Sequence, residues 1–106
     1  MIADATFNIA LCRYSLKEII KATDDMQEAY RLRCQCMGKS SLEASEALLV
    51  LSRWLLKEKK YESCLQFVME CLRIRRTNIS FEKELQEVNQ LIYEIYETIK
   101  AEKEES

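Results

Sequence analysis

The chain reads as an all-α protein, and three observations carry that reading. It has one glycine and no proline in 106 residues, so the tight turns of a strand-rich fold have almost nothing to be built from. Its apolar residues recur at three-and-four spacing, the period of one face of a helix. Hydrophobic residues make up 48% and charged ones 32%, a composition that folds and that gives a chain of this length one modest core. We expect a single all-helical domain, with helices over roughly 2–22, 24–37, 41–57, 60–75 and 80–101.

The first helix should bury Phe7, Ala10, Leu11 and Tyr14, with Leu16, Ile19 and Ile20 continuing that face. The cluster Thr23-Asp24-Asp25 marks a break, since Asp24 precedes Gln27, and Asp25 precedes Glu28, at the spacing of a capping box. One long helix with exposed aspartates is the alternative. The second helix then turns Met26, Ala29, Tyr30 and Met37 inward and stops at Gly38, where a missing Cβ suits a left-handed stop.

The third helix starts at Ser40, three residues before Glu43, again a capping-box spacing. Ala44, Ala47, Leu48, Leu51 and Leu55 share a face, and Leu49, Val50, Trp54 and Leu56 widen it. A helix apolar around so much of its girth needs neighbours on more than one side. Lys57-Glu58-Lys59-Lys60 turns the chain into a fourth helix, with Tyr61, Cys64, Leu65, Val68, Cys71 and Leu72 on one face. Its last turn carries Arg73, Arg75 and Arg76, cations at the negative end of the helix dipole. In the last helix Phe81, Leu85, Val88, Ile92, Ile95 and Ile99 step by four and three, with Leu91 and Tyr96 broadening the seam. That seam is too short for an independent coiled coil, so it should pack across the preceding pair, leaving a frayed tail from Ala101.

The stretch from Ala44 to Asn78 resembles a tetratricopeptide repeat, two antiparallel helices in roughly 34 residues. The repeat's large, small and aromatic positions fall on Leu48, Leu51, Ser52 and Leu55, then on Cys64, Val68 and Cys71, with Tyr61 opening the second helix. Leu55 is not aromatic, Lys59 stands where the turn glycine belongs, and Arg76 stands where the closing proline belongs. Phe7, Ala10, Leu11 and Tyr14 echo the first half of such a unit, but no second helix follows at the right offset, so no second repeat is read there. The resemblance implies a right-handed stack of hairpins with a peptide-binding groove; a small bundle of four or five helices is the alternative architecture. The terminal-carboxylate clamp of some family members is not implied, because Arg53 occupies the position of its asparagine.

Several chemistries lack their residues. Gly38 alone cannot build a phosphate-binding loop, and a chain without histidine lacks the usual general base and the commonest metal ligand. Five cysteines are an odd number for a disulfide framework. Cys34 and Cys36 project from opposite sides of a helix, away from any shared metal. We read the cysteines as reduced, which together with the lack of a secretory signal implies the cytoplasm or nucleus. Asn78-Ile79-Ser80 matches a glycosylation sequon but sits at a helix junction. No stretch is long enough to span a bilayer. Residues 79–106 hold three lysines and eight glutamates, net −5, against +3 for residues 1–78. Arg31/Arg33 and Arg73/Arg75/Arg76 are the densest basic points, without the interleaved aromatics of a nucleic-acid surface.

The expected function is therefore non-enzymatic, with no cofactor, metal or small-molecule substrate: an adaptor or scaffold module that binds another protein or peptide, and that belongs to a longer repeat protein in one version of the reading. Arg53, Trp54 and Lys57, facing outward from the third helix, are the candidate contacts. The alternative is a homo-oligomer joined through the 81–99 seam, with Val88 and Ile92 at its centre.

Overall fold

The structure, a computed structural model, describes residues 2–105, and the side chains of all of these except Ile2, Ala3 and Ile79. Five α-helices follow one another: α1 (Ile2–Ser15), α2 (Ile19–Met37), α3 (Leu42–Lys57), α4 (Tyr61–Arg76) and α5 (Glu82–Glu105), the last entered through a 3-10 turn at Ile79–Phe81. No strand occurs among the described residues. Two hairpins, α1/α2 and α3/α4, stack through α2 and α3, and α5 lies on α4.

The first break falls at Leu16-Lys17-Glu18, earlier than the expected Thr23-Asp24-Asp25. Lys17 takes a left-handed φ of 68°, and the turn closes with Lys17 N–H donating to the Tyr14 carbonyl (3.0 Å) and Glu18 N–H to that of Arg13 (2.9 Å). The aspartates are interior to α2. Asp25 is no cap; it accepts from Arg13 of α1 at 2.7 Å, tying the hairpin across its width. The break also leaves Leu16 and Ile20 strongly exposed around the turn, and Leu11 exposed on α1, where an unbroken face had been expected to cover them.

The second hairpin turns identically. Lys59 has φ 61°, Lys59 N–H donates to the Leu56 carbonyl (3.1 Å) and Lys60 N–H to that of Leu55 (2.9 Å). Every group in this turn lies 42 positions after its counterpart in the first.

Between the hairpins, Gly38 combines φ 101° with ψ 150°, a region open to glycine alone, so the chain leaves α2 extended and not in the expected left-handed stop. Ser41, not Ser40, caps α3, its hydroxyl accepting from Ala44 N–H at 3.1 Å. The cap must stand directly before the first helical residue, which is Leu42.

α3 is apolar around most of its girth because it serves two cores. Ala47, Leu51 and Trp54 join Phe7, Ala10, Ala22, Met26 and Ala29 of the first hairpin. Leu48, Leu49 and Leu55 join Cys64, Val68, Cys71 and Ile74 of α4 and Val88, Leu91 and Ile95 of α5. Small residues let each pair of helices approach closely. Ala22 and Ala29 of α2 are fully buried, as are the residues 42 positions on, Cys64 and Cys71. The two thiols donate weakly to the carbonyls of Ser52 (3.1 Å) and Ser45 (3.3 Å).

α5 does not end near Ala101. It stays helical to Glu105, its last turns held beside the start of α4 by the Lys59–Glu102 ion pair at 3.5 Å. Asn78, the sequon residue, caps the entry to this helix: its side-chain oxygen accepts from Ser80 N–H at 3.0 Å.

Candidate interaction surfaces

The helix ends carry the arrangement that organises the surface. Near the end of α2, Arg33 is 5% exposed and donates to the Glu43 carbonyl (2.9 Å) and the Glu46 carboxylate (3.0 Å) in the first turns of α3. It also pairs with Asp4 at 3.5 Å and lies 4.0 Å over the Phe7 ring of α1. Near the end of α4, Arg75 is 3% exposed and does the same toward α5, reaching the Glu84 carbonyl (2.8 Å) and the Glu87 carboxylate (3.5 Å). Its Nε donates to Ser45 of α3 at 2.9 Å. Each arginine thus joins the first helix of its own hairpin to the helix that begins the next unit. Two residues before each, Arg31 and Arg73 pair with Glu28 and Glu70 on the outside of the helix.

The correspondence is visible in the sequence itself. Glu28-Ala-Tyr-Arg-Leu-Arg33 and Glu70-Cys-Leu-Arg-Ile-Arg75 share the pattern Glu-x-x-Arg-apolar-Arg, 42 positions apart. The residues after the arginines shift by 41, from Glu43 and Glu46 to Glu84 and Glu87, so α5 holds the place in a third unit that α3 holds in the second. Before Gly38 the chain does form a second hairpin, α1/α2, whose turn and buried arginine correspond to those of α3/α4 at an offset of 42 positions.

Arg53, Trp54 and Lys57 lie along one groove of about 230 Å³ between α3 and α5, together with Leu56, Leu91 and Glu94. Arg53 and Lys57 are exposed. Trp54 is only 7% exposed and shows the groove no more than an edge, because its ring stacks on Tyr14 of α1 with centroids 4.3 Å apart and planes 2° from parallel. It is a core residue. Val88 is fully buried and Ile92 half-buried in packing within the chain, so Val88 has no face left for a second chain.

Unlike the two buried arginines, the thiols and the phenol packed into the cores are held neutral. Burial pushes the thiols of Cys64 and Cys71 up to about 11. The phenol of Tyr30, which packs against both cores, is pushed up to about 12 by burial and then by a hydrogen bond with Cys34. All five cysteines are free thiols, Cys12 and Cys36 at the surface. No group of three or more potential metal ligands occurs among the described residues. No described helix is long and apolar enough to cross a membrane. Comparison of the chain with family models, curated proteins and solved structures finds no match in any of the three.

Proposed function

We propose that the chain is a non-enzymatic protein–protein interaction module, a short stack of hairpins similar in plan to tetratricopeptide repeats, whose α3–α5 groove holds a segment of a partner. The observation that carries this reading is the repeated buried arginine. A hairpin that ends by clamping the next helix is a device for propagating a stack, and a stack offers a continuous surface along its first helices. The unit repeats at 42 positions, longer than the roughly 34 of the family, so the likeness is one of plan. Arg53 and Lys57 supply charge at the rim of the groove and Leu56 and Leu91 supply its apolar floor. Five free thiols accord with a reducing compartment, cytoplasm or nucleus.

The test combines two measurements. Light scattering at high concentration should give a monomer. Capture of partners from lysate by the wild type should be lost in an Arg53→Glu, Lys57→Glu double variant whose circular dichroism is unchanged. A dimer with no captured protein would transfer the reading to self-association.

A further inference from the structure

The α3–α5 groove has rims of opposite sign. Arg53 and Lys57 stand one turn apart on α3, Glu94 stands on α5, and Trp54, Leu56 and Leu91 complete the lining. Arg53 and Glu94 are 41 positions apart, the offset that also relates Glu46 to Glu87, so the same place on the two helices carries reversed charge. All three charged side chains are exposed, and no ion pair among the described residues uses any of them.

The nearest other carboxylates are engaged elsewhere. Two turns back along each helix, Glu46 pairs with Arg33 and Glu87 with Arg75. Glu58, next to Lys57, lines a separate groove between α2 and α4. What remains is a basic rim and an acidic rim over an apolar floor. The floor is narrow, since Trp54 and Leu91 are only 7% and 1% exposed and Leu56 is half-buried, so it takes a side chain and not a helix. Selectivity therefore falls to the rims. Exposed charges of this kind add little affinity, but they decide which partner fits and in which direction it lies.

Resting on the interaction-module reading, we infer that the partner segment held here is an amphipathic helix of mixed charge. It sets an apolar side chain on Leu56 and Leu91, carboxylates against Arg53 and Lys57, and a cation against Glu94. The four-residue step from Arg53 to Lys57 is matched by carboxylates four apart on a helix lying along the groove.

Three helical peptides that share one leucine stripe test this. The first has glutamate on one flank and lysine on the other, the second glutamate on both, the third lysine on both. Each is titrated into the isotopically labelled chain. The mixed peptide should shift the amide signals of Arg53, Leu56, Lys57, Leu91 and Glu94. The uniform peptides should bind about tenfold more weakly, because each meets one rim of its own sign. Charge reversal should move the preference. Arg53→Glu with Lys57→Glu makes both rims acidic and should favour the lysine peptide; Glu94→Lys makes both basic and should favour the glutamate peptide. Should a reversal disturb folding, Glu94→Gln removes the acidic rim alone and should bring the glutamate peptide level with the mixed one. Met69→Glu, on the exposed side of α4, should leave all three affinities unchanged.

The inference is overturned by no binding of the mixed peptide, by equal binding of the three, by shifts on another face, or by a preference that the reversals leave in place. A captured partner that is lost with Arg53→Glu and Lys57→Glu but indifferent to Glu94→Lys also overturns it, and leaves the module reading standing. A chain that binds no peptide and captures no protein sinks both.

Discussion

Arg33 and Arg75 hold equivalent places 42 positions apart in two successive hairpins, each buried and each donating to a backbone carbonyl in the first turn of the following helix, at 2.9 Å and 2.8 Å. A buried guanidinium that satisfies a first-turn carbonyl and a carboxylate one turn on fixes both the distance and the register of the next helix. Arg75→Ala takes away the charged donor that the Ser45 hydroxyl and the part-buried Glu84 carbonyl share, which should destabilise the fold by about 2–3 kcal/mol in urea unfolding. Arg33→Ala should cost a similar amount, also losing its contact with Phe7. The latches sit at different junctions and share no partner, so the double variant should be close to additive.

Trp54 on Tyr14 is the aromatic join between the two hairpins. Trp54→Ala should cost about 3–5 kcal/mol by opening a cavity between α1 and α3. Trp54→Phe, which keeps a ring against Tyr14, should cost much less. Tryptophan fluorescence of the native chain should be that of a buried indole, moving to the red on unfolding.

The cap of α3 discriminates between two adjacent serines. Ser41→Ala should cost about 1 kcal/mol, since the Ala44 amide loses its acceptor, while Ser40→Ala should change stability little. Paired unfolding curves of the two variants check this.

Buried thiols make the fold sensitive to alkali. Cys64 and Cys71 ionise near 9.0 when unfolded and near 11 when folded, so below pH 9 their protonation is the same in both states. Between pH 9 and 11 the unfolded chain loses protons that the folded chain keeps, and stability falls. Cys64→Ala with Cys71→Ala should flatten that part of the stability–pH curve. For the same reason Cys12 and Cys36 should react with a thiol reagent in the native state, and Cys64 and Cys71 only on unfolding.

Much of the fold was written in local spacing. Helices α3 and α4 and the seam of α5 could be read because their apolar residues recur at helical period and are bounded by a clear lysine turn. The first hairpin is hard to read because its turn contains no glycine: Lys17 takes the left-handed conformation, and Thr23-Asp24-Asp25 looks more like a break. A break placed at Thr23-Asp24-Asp25 puts the second helix out of register with the fourth and hides the Glu-x-x-Arg-apolar-Arg pair. Of the candidate site, exposed Arg53 and Lys57 followed from helix position alone. The burial of Trp54 and Val88 did not, because periodicity gives a face but not which neighbour covers it.

A photo-crosslinking amino acid placed at Arg53 measures most directly whether this stack holds another protein. In cells the account predicts one discrete crosslinked species, a protein other than this chain, lost when Lys57 is also changed to Glu. Crosslinks only between two copies of the chain, or none at all from a folded variant, would contradict it.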